Sequence, residues 1–501
     1  MSDRWPDCTW SNPMANRSLM RQVKILSTFL LLLAISLGCR PNASPRPGQP
    51  VTWKSTQSPI VDTRLGIAAH PPLGLDPRST RRRGHDLDFM RDAGFRVLRV
   101  DFRWHQIEPK KGQFNFSRHD ALFADAKKRG IELLPVLAYG NSWASAGSPA
   151  KEHNRPPDQP ADFARFVSRV VSHYRGKIDR FEIWNEPNVG FRFWKPSLGG
   201  DPQGYARLLR EAGQAAHRAN PKAQIAFGGT FYPALSPVIP GTIDFTEGVY
   251  RADPGIGSAY DTFAFHPYRY PFLAPETRGW EGLPNPEPFE ESLSKVRKVL
   301  KRNGDASKPI WITETGWHTA RWSVPFPGVS ENDQARYLVR NSLLALAHDV
   351  ELLIWYTLHD GPNSSYWQEG AFGLITYDPN PDDGIPSRKK PAYHAHKTLS
   401  KVLAGTHFSR EMTSQLGLPR GTRALRFDGP GGRQVTALWS HDKKRNGTRV
   451  QIPIPAHHTV TRQVKMTGSS TSLIPRRSVQ GSQRYQVTAT LSESPIYIES
   501  R

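Results

Sequence analysis

Residues 181–188 read Phe181-Glu182-Ile183-Trp184-Asn185-Glu186-Pro187-Asn188, a short apolar run that gives way to polar residues and a proline. A run of this length, bounded by turn-forming residues, suits a strand buried on both faces. An amphipathic helical pattern precedes it at 163–174 and another follows at 205–219, so strand and helix alternate here. Working outward, the alternation recurs. Apolar runs at 65–69, 97–102, 133–138, 225–228, 262–265, 310–313 and 352–356 join 181–184, with further helical patterns at 289–301 and 333–347. Eight β-then-α units in succession predict an α/β fold, a closed (β/α)8 TIM barrel, ahead of the open doubly wound alternative. No Gly-x-Gly-x-x-Gly follows the first strand, which weakens the dinucleotide-binding version of an open sheet.

Past the last helical stretch, 391–403, the pattern changes to short alternating segments at 424–427, 435–439, 450–454 and 485–491. These predict a C-terminal all-β sandwich domain. The expected organisation is a barrel over 60–404 and the sandwich over 405–501. Before them come an export signal over 1–39 and a flexible Pro/Ser/Gly/Asn-rich linker over 40–59. The signal reading rests on 14 uncharged residues, Ile25 to Gly38, preceded by Arg17, Arg21 and Lys24; this is too short to span a bilayer comfortably. Ser36-Leu37-Gly38-Cys39 resembles a bacterial lipoprotein box but carries Ser where Leu is usual. Membrane attachment through a lipid on Cys39 and simple secretion therefore both stand as readings.

The chain has 501 residues, 37% hydrophobic, which supports a sizeable core and excludes a disordered protein. Its net charge of +22 points to an acidic partner: nucleic acid, anionic membrane or polyanionic glycan. Residues 406–501 hold 15 Lys and Arg against 5 Asp and Glu, so nearly half of the excess sits in the tail. Both cysteines, Cys8 and Cys39, precede the expected fold, which leaves the body without a disulfide or a Cys-based zinc site.

In a barrel, reacting groups come from the C-terminal ends of strands. Two glutamates stand there: Glu186 above, and Glu314 in Pro309-Ile310-Trp311-Ile312-Thr313-Glu314-Thr315-Gly316-Trp317. Two carboxyl groups flanking a cleft are what glycosidic bond cleavage requires, one as proton donor and one as nucleophile or base. Asn-Glu-Pro closing the fourth strand and a second Glu closing the seventh resemble the clan A retaining glycoside hydrolases. With Glu-Ile-Trp-Asn-Glu-Pro-Asn and the appended sandwich, the chain is most similar to glycoside hydrolase family 39, which includes β-xylosidases, α-L-iduronidases and exopolysaccharide hydrolases. The resemblance implies that Glu186 is the acid/base and Glu314 the nucleophile, with no cofactor and no metal. It further implies that Arg99 keeps Glu314 ionised and that Asn185 bonds the sugar 2-hydroxyl. His266 and Tyr268, in His-Pro-Tyr, match the clan's His-x-Tyr, whose tyrosine orients the nucleophile, and Trp355 would floor the subsite of the cleaved sugar.

Trp104, Trp143, Phe191, Trp194, Trp317, Trp322 and Trp367 follow strands, where either sugar stacking or packing accounts for them, and His70, Asn141 and His318 sit at strand ends. Arg81-Arg82-Arg83 reads as a solvated face. A zinc hydrolase lacks His-Glu-x-x-His, and a serine hydrolase lacks Gly-x-Ser-x-Gly. No nucleic-acid-binding module is visible, and the signal exports the chain. The expectation is an exported retaining glycosidase acting on a carbohydrate, neutral or acidic; the alternative is a barrel that binds glycan without cutting it. Thr-Glu-Thr-Gly-Trp departs from the usual β-xylosidase context and is more similar to endo-acting exopolysaccharide and glucan hydrolases of the clan, while the choice between chain-end and internal cleavage depends on loop shape.

Overall fold

The computed structural model describes residues 64–146, 153–234, 239–269, 272–280, 287–378, 387–458, 461–477 and 485–501. The expected signal, linker and Cys39 lie outside the described residues.

Eight parallel strands close into a barrel in chain order: β1 Leu65–Ala68, β2 Val97–Arg103, β3 Glu132–Ala138, β4 Arg180–Asn185, β5 Gln224–Phe231, β6 Phe263–His266, β7 Ile310–Thr315 and β8 Leu352–Tyr356. β8 pairs back onto β1, with Leu65 opposite Leu353 and Ile67 opposite Trp355, so the ring has no edge. Helices between the strands cover the outside, among them Pro77–Asp92, Pro160–His173, Pro202–Ala219 and Glu331–Ala347. Several begin as their sequences dictate. Asp76 and Asp201 cap the backbone N–H groups of Ser79 and Gly204 with proline in the first turn, and Ser330 caps Asp333.

Because side chains alternate along a strand, each barrel strand feeds two cores. Outward residues such as Leu98, Ile183, Phe227, Ile312 and Leu353 pack on the helices in the main core. Inward residues Val97, Leu134, Ala226, Ala264, Trp311, Leu352 and Ile354 fill the lumen. This apolar plug is the floor on which the polar cleft rests.

Beyond the helix Pro391–Leu403, two antiparallel sheets follow. One has the order β14-β13-β17-β11-β10-β9, made of Ser470–Ser472, Thr461–Lys465, Ile496–Ser500, Gln434–Ser440, Thr422–Asp428 and His407–Glu411. The other, β12-β16-β15, is Arg449–Ile454, Tyr485–Thr490 and Arg476–Arg477. Ala424, Leu438 and Ile498 face Val450, Ile452 and Val487 between the sheets, which makes a sandwich. The opposite face of the larger sheet, Leu425, Phe427, Ala437, Trp439 and Tyr497, belongs to the same core as the barrel. The architecture is thus the expected TIM barrel with a C-terminal β sandwich.

One local reading needs correction. Arg83 is not on a solvated face: it is 2% exposed, bonds Asp125 at 2.8 Å and caps the carbonyls of Pro72 and Gly74. It lies on the buried side of its helix, where a cation must find oxygen partners.

Candidate active site

Above the lumen floor the inward positions turn polar, beginning with Arg99 on β2. Its Nε and Nη2 donate to the two carboxylate oxygens of Glu182 on β4, at 2.8 and 2.9 Å. Nη2 also donates to Asn185 Oδ1 at 2.8 Å, and Nη1 to Glu314 Oε1 at 2.6 Å. The guanidinium therefore ties β2, β4 and β7 together at the base of the cleft. Thr313 donates to Glu182 at 3.2 Å and lies 3.1 Å from His266 Nε2. The backbone N–H of Gly229 on β5 donates to Glu182 at 2.9 Å; a β-carbon there would overlap His266 and crowd Thr313 and Glu182, so only glycine fits.

Two departures from regular strand geometry aim the carboxyl groups. On β7 the register against β8 slips between Ile312, opposite Leu353, and Thr315, opposite Trp355. The extra residue lets both Thr313 and Glu314 face inward, as bulges beside active sites do. At the end of β4, Trp184 and Glu186 have φ of 71° and 44°, left-handed values uncommon outside glycine. Such strain persists only where surroundings over-determine it. Here Glu186 N–H donates to Gly229 at 2.9 Å, and the buried Trp184 ring donates to the Phe193 carbonyl at 2.9 Å.

His266 Nδ1 lies 2.9 Å from Glu186 Oε1 and 3.8 Å from Glu314 Oε2. Tyr268 donates its hydroxyl to Glu314 Oε2 at 2.9 Å. The facing atoms of Glu186, His266 and Glu314 all lie within 4.8 Å of one another, the spacing a metal site could also use. Arg99 already supplies fixed positive charge there, and both Glu314 oxygens accept hydrogen bonds.

The two carboxyl groups are driven in opposite directions. Burial, joined by the Glu314 charge, raises the Glu186 pKa against the opposing pull of His266. Burial also acts to raise Glu314, but the charges of His266 and Arg99 and the hydrogen bonds from Tyr268 and Arg99 outweigh it and hold that carboxyl low. A pair split in this way favours the proton on Glu186 over Glu314, the order that acid and nucleophile roles need.

Of the residues singled out from sequence, Arg99, Asn185, Glu186, His266, Tyr268 and Glu314 converge in this cleft. Trp355 does not. Leu352 and Ile354 point into the lumen, with Tyr356 packed against them, so Trp355 points outward, 4% exposed and stacked on Trp317 at 6.1 Å. The aromatic that β8 offers to the cleft is Tyr356, whose pKa is raised by burial and by the charges of Glu369 and Glu314. Trp104, Trp194, Trp317, Asn141 and His318 are buried packing residues, whereas Phe191, Trp322 and Trp367 are exposed. Glu182, Thr313 and Tyr356 were missed. Glu182 had a readable signal: a carboxylate inside an apolar run needs a buried cation.

The family model for Cellulase (glycosyl hydrolase family 5) matches residues 77–356. A curated β-xylosidase of Geobacillus stearothermophilus is 25% identical over 268 residues, covering 50% of this chain and 47% of that protein. One of Caldicellulosiruptor saccharolyticus is 21% identical, covering 58% and 57%. The chain thus spans about half the length of the curated relatives it matches. In fold it is similar to a family 39 glycoside hydrolase from Bacteroides cellulosilyticus WH2, at 22% identity, TM-score 0.66 and 88% and 82% coverage of this chain and that one. It is likewise similar to a monomeric β-xylosidase from Caulobacter crescentus, at 16% identity, TM-score 0.58 and 89% and 97% coverage. With more than half of its length matched by the family model, the chain belongs to the cellulase family of glycosyl hydrolases, family 5, within clan A, and is similar in fold to family 39.

Proposed function

We propose that the protein is a retaining glycoside hydrolase that cleaves O-glycosidic bonds of a poly- or oligosaccharide by double displacement. The observation that carries this reading is the facing pair itself: Glu186 and Glu314 share one cleft with facing atoms within 4.8 Å, and their surroundings push the Glu186 pKa up and the Glu314 pKa down. Retaining enzymes hold their carboxyl groups roughly 5–5.5 Å apart, against roughly 6.5–9.5 Å where a water must fit, and facing oxygens within 4.8 Å support the closer arrangement. Glu186 gives its proton to the leaving oxygen while Glu314 attacks the anomeric carbon, forming a glycosyl ester. Glu186, now a carboxylate, takes a proton from water, which displaces Glu314 and releases the sugar with its starting configuration.

Asn185 Oδ1 is engaged by Arg99, which leaves its amide N–H groups as the donors for the sugar 2-hydroxyl. Arg99 and Tyr268 keep Glu314 ionised and oriented. NMR of the first-formed product tests the mechanism: retention is expected, and inversion overturns it. A screen of polysaccharides and aryl glycosides for turnover separates this reading from a barrel that only binds glycan.

Arg17, Arg21 and Lys24 before the uncharged run Ile25 to Gly38 support export, with residues 1–39 as the signal. Membrane fractionation with mass spectrometry of Cys39 distinguishes lipid attachment from release. An acidic glycan is the polymer that suits the basic tail, where Lys443, Lys444 and Arg445 are exposed. Binding that is present at low salt and lost at high salt is the expected signature.

A further inference from the structure

β4 and β8 stand opposite each other in an eight-stranded ring. A contact between the segments that follow them joins opposite sides of the barrel mouth. Such a contact exists. Arg192, in the short helix Gly190–Phe193 after β4, donates Nη1 and Nη2 to Oε1 and Oε2 of Glu369, both at 3.3 Å, and Glu369 lies in the turn Gln368–Gly370 after β8.

Both arms are held. The Arg192 guanidinium lies 4.9 Å above the Phe193 ring, which stacks on Tyr139 at the end of β3, and the Arg192 carbonyl accepts from Asn154 Nδ2 at 2.7 Å. On the other side Gly361 N–H donates to the Gly370 carbonyl at 2.9 Å, fixing the turn that carries Glu369. The pair also lies close to the chemistry. Burial opposes it, but the charges of Glu369 and Glu186 raise the Arg192 pKa, and Tyr268 and Tyr356 both feel Glu369.

We infer that Arg192 and Glu369 form a crossbar over the catalytic cleft that admits the end of a glycan chain and excludes its interior. An internal segment would have to be lowered sideways through the bar. A chain end can slide in beneath or beside it. The inference rests on the glycosidase reading and settles which part of the polymer the site takes.

The test is product sizing on the full chain with a panel of xylan, carboxymethylcellulose, β-1,3-glucan and polygalacturonate, each paired with the matching aryl glycoside. Wild type is expected to release mono- and disaccharides from the earliest times while the polymer shortens slowly. In Arg192→Ala and Glu369→Ala, products of intermediate length should appear, and polymer turnover relative to aryl glycoside turnover should rise roughly tenfold, the scale of a single specificity contact. The swap Arg192→Glu with Glu369→Arg should restore the wild-type product pattern. Loss of fold would lower both activities together and leave product length unchanged. Intermediate products from wild type at the outset, or single variants with unaltered patterns, overturn the crossbar. No turnover of any panel member by wild type overturns the glycosidase reading, and the crossbar falls with it.

Discussion

Arg99 and Glu182 are joined by two hydrogen bonds, of 2.8 and 2.9 Å, with side-chain exposures of 5% and 0%. The pair sits below the carboxyl groups of Glu186 and Glu314, so Glu182 bears on the cleft through Arg99. Removing one partner of a buried pair typically costs about 3–5 kcal/mol because the other charge is left uncompensated. Glu182→Ala should therefore lose stability of that order in urea unfolding and should also lower kcat, since Arg99 is no longer fixed against Glu314. A loss below about 1 kcal/mol, the size of an exposed pair, would show that Asn185 and Glu314 hold the guanidinium by themselves.

The proposed division of labour between Glu186 and Glu314 predicts different leaving-group behaviour. Glu314→Ala should abolish turnover on every substrate, with azide restoring it and giving a glycosyl azide of configuration opposite to the substrate. Glu186→Ala should lose about 10²–10⁴-fold on substrates with poor leaving groups, the usual scale of general acid catalysis. It should largely spare activated aryl glycosides, whose leaving groups need no proton. Equal losses on all leaving groups in both variants would refute the assignment.

The pH dependence follows from the same geometry. A pair with one raised and one lowered carboxyl predicts a bell-shaped kcat/KM, in which the acid limb reports loss of ionised Glu314 and the alkaline limb loss of protonated Glu186. Tyr268 donates to Glu314 and helps hold it low. Tyr268→Phe should therefore raise the Glu314 pKa and move the acid limb to higher pH. A pH-rate profile of Tyr268→Phe with an unmoved acid limb would mean that Arg99 and His266 alone set the Glu314 charge.

The barrel was legible because its eight strands are buried on both faces and read as apolar runs separated by helical periodicity. The two glutamates were legible because both close such runs. What could not be read was side-chain parity near strand ends. Trp355 and Tyr356 are adjacent, and only the lumen positions of Leu352 and Ile354 show that Tyr356 faces the cleft. On β7, strict alternation from Trp311 would send Glu314 outward with Ile312, and the register slip before Thr315 reverses that. Glu182 was passed over because it lies inside its run, where attention to strand ends does not reach. The weakly alternating β9 and the two-sided β17 were not singled out either, since each lacks the clean one-face pattern of a half-buried strand.

The sandwich is fastened to the barrel by charge as well as by apolar packing, and this predicts how the protein responds to pH. Glu276, in the segment after β6, accepts from Arg340 Nε at 2.9 Å and from Trp439 Nε1 of β11 at 2.7 Å, all three side chains being buried. Burial would raise the Glu276 pKa, but the Arg340 charge and the hydrogen bonds from Arg340 and Trp439 hold it below the usual range. A depressed carboxylate adds stability above its unfolded pKa, and that stability is lost as pH falls through the folded value. Arg340→Met removes the strongest of the influences that oppose burial. The His441 charge and the Trp439 hydrogen bond remain, but the Glu276 pKa moves up, so the variant is destabilised by about 3–5 kcal/mol at neutral pH, and the deficit should shrink as pH falls toward the carboxylate range. Pairing it with Glu276→Gln should recover much of the loss, because no buried charge is left without a partner. Trp439→Phe removes one donor to a charged acceptor, which should cost about 1.5–3 kcal/mol, and the smaller ring leaves a void at this fully buried position that adds to the loss. Urea unfolding of the four proteins at neutral and acidic pH measures all of this. An Arg340→Met deficit that does not shrink on acidification would mean that Glu276 carries no charge in the native protein.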